Sequence, residues 1–153
     1  MSSPDRPVFR ELDRDQCDAI LERNHVGRIA FSFHDRVDIQ PIHYVRDDTW
    51  LYMRTDPGDK ITTFAHNRWV AFEVDEIDGV FDWRSVVVRG GVYLLDRYGP
   101  ASEREARERA VALLQSVFPR TLEPGDPAPF RDIVLRIYID EMTGREARSE
   151  RRG

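Results

Sequence analysis

Cysteine is nearly absent from this sequence. Cys17 stands alone in 153 residues, so neither an internal disulfide nor a thiolate metal cluster can form. It falls inside a predicted helix, where a lone thiol ordinarily serves as a small core residue. Lysine is scarcer than it looks: of 23 basic residues, Lys60 is the single lysine. Against so many arginines, that position suggests a preference for a compact ammonium over a guanidinium fork. Long apolar runs are missing, and with them any membrane-spanning helix. The opening residues, Met1-Ser2-Ser3-Pro4-Asp5-Arg6-Pro7, lack the apolar core of a signal peptide, and a cytoplasmic protein is expected. A cationic excess is missing too: the formal net charge is −5, which argues against nucleic-acid binding. The arginines alternate with acids, as in Glu103-Arg104-Glu105-Ala106-Arg107-Glu108-Arg109, the pattern of a solvated helix face.

Catalytic signatures are equally scarce. His25, His34, His43 and His66 stand on separate elements without the i, i+4 spacing of a helical metal pair, and no metal site is expected. No catalytic triad or paired-carboxylate arrangement stands out. What is present is the composition of one ordinary soluble domain, 41% apolar and 33% charged, large enough to bury a core without a metal or disulfide. The expected organisation is an N-terminal arm over 1–12, a single domain over 13–142 and a flexible tail over 143–153.

The periodicities predict mainly β structure with three flanking helices. A capping box of Asp13 and Gln16, with Leu12 placed to staple against Cys17, opens a first helix that runs to about Asn24. Alternation of Ile29, Phe31 and Phe33 with Arg28, Ala30 and Ser32 marks a strand, and His34-Asp35-Arg36 turns it. The next strand carries Val37, Ile39, Pro41, His43 and Val45 on one face, Ile42 and Tyr44 on the other. Pro41 cannot donate to a ladder, so a bulge or an edge is expected there. A strand over Thr49–Thr55 follows. Asp56 and Pro57 then start a short helix with Ile61, Phe64 and Ala65 buried. Later strands span Arg68–Asp75 and Ser85–Asp96, with Gly90-Gly91 marking a bulge or sharp bend. Ser102 and Glu105 suggest a capping box for a third helix, whose apolar face is Ala106, Ala110, Leu113, Leu114 and Val117. An irregular loop over Arg120–Pro129 precedes a last strand over Ile133–Asp140. Six strands with three helices between them suggest a closed or nearly closed barrel.

Three segments could carry chemistry. In Arg54-Thr55-Asp56-Pro57-Gly58-Asp59-Lys60, a basic residue, a hydroxyl, the lone lysine and a helix N-terminus could converge on a phosphate. By itself the segment reads as a common turn–helix junction, with Asp56 and Asp59 adding negative charge. In Gln40-Pro41-Ile42-His43-Tyr44, a strand freed from its ladder could lie against a flat ring, or Pro41 could be an edge residue and His43 a satisfied barrel histidine. In Trp83-Arg84-Ser85, the indole could stack on a ring or cover the end of the barrel.

Together with His25-Val26-Gly27-Arg28-Ile29-Ala30 and the run from Trp83 to Gly90, the order of these segments resembles the pyridoxamine 5′-phosphate oxidase-like flavin-binding split barrels. The similarity is greatest to the nitroimidazole-resistance-like branch. The resemblance implies a six-stranded split β-barrel (the FMN-binding split barrel) acting as a homodimer with sites at the subunit interface. It implies that Arg54, Thr55 and Lys60 hold the cofactor phosphate, that Pro41, Ile42 and His43 line the ring, and that Trp83, Arg84 and Ser85 reach the site. The implied activity is that of an oxidoreductase using FMN, or the deazaflavin F420, to pass hydride to a small acceptor such as a nitroaromatic or quinone, with His43 the candidate proton donor. A non-enzymatic flavin carrier, or a haem protein with His43 or His66 as axial ligand, stands as the alternative. The arginine- and histidine-bearing substrate motif of true pyridoxamine 5′-phosphate oxidases has no counterpart between Ile133 and Gly153, so vitamin B6 oxidation is not expected.

Overall fold

The computed structural model describes residues 6–150. Its elements, in chain order, are β1 (Arg6–Glu11), α1 (Arg14–Arg23), β2 (Val26–Phe33), β3 (Arg36–Asp47), β4 (Trp50–Thr55) and α2 (Asp59–His66). They continue with β5 (Trp69–Gly79), β6 (Asp82–Leu94), α3 (Ala101–Val117), β7 (Ile133–Tyr138) and β8 (Glu141–Glu150). All strand pairs are antiparallel. The order β6-β5-β2-β3-β4-β7 closes on itself through a β6–β7 pairing, and β8 and then β1 extend from β6 as an arm. The six-stranded ring is the expected barrel. The two further strands lie where an arm and a flexible tail were expected.

That correction has a simple cause. β8 carries Gly144, Arg145, Glu146 and Arg148 on a strand with little hydrophobic alternation, so its sequence looks like a frayed terminus. Its stability comes from partners on both edges: β6 over Trp83–Arg89 and β1 over Arg6–Glu11. Glu146 is buried between Arg10 at 3.5 Å and Arg148 at 3.3 Å.

β6 changes neighbours part-way along its length. Through Arg89 its free edge pairs with β8, and from Val92 to Leu94 it pairs with β7. Gly90 lies between, and a Cβ there would overlap the Tyr138 carbonyl. No register shift occurs at Gly90-Gly91; the irregularity in the β5–β6 ladder falls between Ile77 and Gly79. The glycine is required by close approach of backbone, not by a bulge.

The helices follow their caps with two exceptions. Asp13 and Gln16 form the capping box, with Gln16 N donating to Asp13 Oδ1 at 2.8 Å and Asp13 N donating to Gln16 Oε1 at 2.9 Å. α2 begins after Gly58 with no side-chain cap, because Asp56 lies too early in the chain. α3 begins at Ala101 with Pro100 at the cap position and no side-chain cap, so Ser102 is already inside the helix. In α2, Phe64 is buried and Ile61 packs against the core, whereas Ala65 is exposed. Cys17 is buried, and burial first, then Asp18, raises its thiol pKa, as suits an inert core residue.

The core fills the ring with Ile29, Tyr44, Met53, Phe72, Val86 and Leu135. A second apolar layer outside it, including Tyr52, Leu95 and Val134, is covered by Ala110 of α3. Among the described residues, no helix is long and apolar enough to cross a membrane. Gly90→Ala should destabilise the fold by about 3 kcal/mol in urea unfolding, since backbone must move to admit the methyl. Gly58→Ala, with open space around its position, should change stability by less than about 0.5 kcal/mol; equal effects would show that the Gly90 contact does not constrain the ring.

Candidate functional site

The site grows from one strand that parts from its neighbour. β3 pairs with β2 from Arg36 to His43, but meets β4 only from Tyr44 onward. Its other edge from Arg36 to His43 therefore has no strand beside it among the described residues, which leaves backbone groups available to a ligand. Pro41 sits in this stretch opposite Arg28 with no register shift; of the bulge or edge expected from its sequence, it takes the edge. Beyond the parting, β4 ends at Thr55 and the chain turns into α2.

Side chains on β3 alternate across this free edge. Asp38 and Gln40 face a cleft of about 530 Å³ bounded by Phe33, Asp56, Gly58 and Lys60. Lys60 is half-buried and no acid pairs with it among the described residues. Burial pushes its ammonium pKa below the usual lysine value, Asp56 opposes that shift and Arg131 adds to it. Arg36 supplies a second cation to the same cleft. The uncapped first turn of α2 adjoins the cleft at Gly58, so amide dipoles and two cations border it.

His43 lies on the opposite face of β3 and opens onto a second cavity of about 510 Å³ beneath the C-terminal end of α3. Its imidazole meets the Phe118 ring edge-on at 4.9 Å, with 72° between the planes. Burial, then the charges of Arg131 and Arg54, lower its pKa, which favours neutral imidazole near pH 7. Arg54 lines the same cavity but is bound by Asp126, with Nη1 2.6 Å from Oδ2 and Nη2 3.0 Å from Oδ1. This bidentate pair, and backbone amides of Leu122 and Ala128 donating to Asp126, tie the irregular 120–132 loop to β4. Arg54 and these amides hold the Asp126 carboxyl well below the usual carboxylate range.

The sequence-predicted residues thus divide among several places. Lys60 faces the cleft. Arg54 faces the second cavity and carries a committed counter-ion, so the two do not converge on one anion within the subunit. Thr55 is buried, its hydroxyl donating to Asp56 Oδ1 at 3.3 Å. Ile42 is buried in the core, which leaves its backbone, not its side chain, at the open edge. Trp83 and Ser85 lie on the outer face of the sheet, Trp83 beside Phe9 with ring centroids 6.3 Å apart, and Ser85 donating to Glu73 at 3.2 Å. Arg84 points the other way, 3.0 Å from Glu76. Arg23 first of all, with Asn24 and Arg84, holds Glu76 down to about 2, so Glu76 ties the end of α1 to the sheet and Arg84 joins that cluster from β6. β6 stands three strands from β3, roughly 14 Å away across the sheet. His66 packs near the Phe33 ring at 5.2 Å.

Sequence reasoning missed Arg36, Asp126, Phe118 and Arg131. The period-2 pattern of β3 offered a signal for Asp38 and Gln40, since both share the face of Ile42. Asp126, Phe118 and Arg131 stand 60 or more residues from their partners on β3 and β4 in irregular chain, where no periodicity applies.

The pyridoxamine 5′-phosphate oxidase family model matches residues 13–146. The chain belongs to that family. It is 31% identical over 148 residues to an uncharacterized protein of Rhizobium meliloti, covering 90% of this chain and 95% of that one. Its fold is similar to the crystal structure of an FAD-binding protein of Mesorhizobium loti, with TM-score 0.74 and 30% identity over 93% of this chain and 99% of that one. It is also similar in fold to a candidate 5-nitroimidazole antibiotic resistance protein of Bacteroides thetaiotaomicron, with TM-score 0.70 and 16% identity over 93% and 89% of the two chains. Membership of the pyridoxamine 5′-phosphate oxidase family carries the split-barrel architecture; the reaction must be argued from the site.

The His43 environment makes a direct prediction. An NMR titration should place its midpoint below the ~6.5 of a free histidine, and Arg131→Gln should move it upward by removing a nearby cation. A midpoint above the free value would contradict this electrostatic account.

Proposed function

We propose that this protein is a flavin-binding oxidoreductase that delivers reducing equivalents to a small acceptor. The observation that carries the reading is the cleft beside the unpaired edge of β3, where Lys60 and Arg36 lack carboxylate partners among the described residues and α2 begins without a side-chain cap. Two unpaired cations and a helix start suit a phosphate, and an unpaired strand edge suits the polar rim of a planar ring. The residues therefore fit a flavin nucleotide, and family membership together with the FAD-binding Mesorhizobium loti relative supports it.

In this reading Lys60 and Arg36 hold the phosphate, and the β3 backbone around Pro41 and Ile42 orients the ring. A bound flavin supplies two-electron redox chemistry. His43, whose pKa is lowered by burial and two arginines, can donate or accept a hydrogen bond at a reacting atom. The separation of Trp83 and Ser85 from this cleft fits a homodimer in which they act on the partner's site, whereas Arg84 is spent on Glu76 and Asp78. The outer sheet face offers a surface for that dimer: Val37, Ile39 and Trp69 are 73%, 62% and 63% exposed, a concentration of apolar area that monomers seldom present.

Absorbance titration with FMN, FAD and F420 tests the cofactor. FMN or FAD should bind, and Lys60→Ala should weaken binding by about 1.5–3 kcal/mol, the loss of a charge-assisted contact. No perturbation of any of the three spectra would refute the proposal, and preferential F420 binding would replace flavin by deazaflavin. Light scattering should report a dimer, and Ile39→Asp should yield monomers with weakened flavin binding. A monomeric wild type that binds flavin normally would remove the partner's contribution.

A further inference from the structure

The cavity on the far side of β3 from the flavin cleft has a composition of its own. Leu114, Val117, Phe118 and Pro119 give it apolar walls, and Phe118 presents a ring to His43. Its lining holds three arginines and, through Arg54, contacts one acid, Asp126. Since Arg54 and Asp126 neutralise one another in a bidentate pair, Arg120 and Arg131 remain without carboxylate partners among the described residues. Arg131 is the better placed of the two: it is half-buried, whereas Arg120 is exposed, and its charge is felt by both His43 and Lys60. An apolar, aromatic-walled space with a surplus of positive charge at one side selects a flat apolar body bearing a single negative charge. At about 510 Å³, it falls within the size range of small-molecule sites.

We infer that this cavity is the acceptor site and that it takes planar aromatic anions, with Phe118 as the stacking wall and Arg131 as the residue that selects for the carboxylate or equivalent charge. The inference rests on the flavin reading for the word acceptor, but not for the binding itself, for which Phe118, Arg131 and the apolar walls require no cofactor. Gln40 in the cleft and His43 in the cavity are three residues apart on one strand, roughly 10 Å. A ring lying along the free edge of β3 would therefore have the cavity on one side and the phosphate cations on the other.

The test is isothermal titration calorimetry on the full chain, without and with saturating FMN, using 4-nitrobenzoate and the neutral 4-nitrobenzyl alcohol as probes. The benzoate should bind about tenfold more tightly than the alcohol, as one charge-assisted contact provides. Arg131→Met should abolish that preference while leaving the alcohol affinity unchanged. Val117→Trp, which fills the cavity, should weaken both probes. Equal affinities in the wild type, or an Arg131→Met protein that keeps the preference, would overturn the assignment. Displacement of the benzoate by FMN would overturn it too, because the cavity would then belong to the cofactor. If the benzoate behaves as expected while no flavin binds, the anion site stands and the flavin reading falls. If flavin binds and the benzoate does not, the reverse holds.

Discussion

The whole architecture depends on the contact between Gly90 of β6 and the carbonyl of Tyr138 at the end of β7. A strand has two edges, yet β6 serves three neighbours: β5 along one edge, and β8 then β7 along the other. The exchange works because the chain leaving β7 crosses directly over Gly90, where Asp140 N donates to Arg89 O at 3.1 Å before β8 begins. With a side chain at Gly90, the chain could not cross there. Closure of the ring and attachment of the β8–β1 arm would then compete for the same edge of β6.

Closure at one point is matched by opening at another. β3 and β4 share only four paired positions, Tyr44 to Asp47 against Trp50 to Met53, and the rest of β3 is left with one neighbour. A closed barrel normally leaves no free edge, so an opening of this kind is costly unless something else meets the backbone groups. α2 borders the cleft on the inner side of the gap, and the 120–132 loop borders the cavity on the outer side. The Arg54–Asp126 pair clamps that loop, and so it shapes the second cavity without offering its charge to a ligand. The split thus creates two spaces on opposite faces of one strand, one polar and one apolar. This juxtaposition gives the proposed redox site its logic: charge recognition on the cleft side and an apolar, ring-lined space on the other.

Much of this was legible in the residues, and the reasons differ by element. Period-2 alternation in β2, β3 and β7 survives because one face of each is buried in the ring, as Ile29, Tyr44 and Leu135 show. The capping box of α1 is local, so Asp13 and Gln16 could be read directly. Caps at α2 and α3 were misread because Asp56 and Ser102 have suitable side chains at unsuitable positions in the turn. β1 and β8 were invisible because β1 pairs with β8 across more than 130 residues and β8 with β6 across more than 50, and strands with exposed, charged faces carry little periodic signal. The site was legible in part: Lys60 and His43 stand on the faces of the two spaces, whereas Ile42 went to the core and Arg84 to Glu76.

By itself, then, the sequence determined the strand and helix content of the ring, the edge position of Pro41, the burial of Cys17 and the isolation of Lys60 as a distinctive cation. These follow from local backbone chemistry and from which side of each element is apolar. Only the tertiary structure decided which charges are spent and which are free. Arg54 and Arg131 are alike as residues, yet Asp126 folds back 72 positions to neutralise one and leaves the other facing a cavity. Pairing of that kind depends on loop closure over long separations, and no local pattern in the chain encodes it.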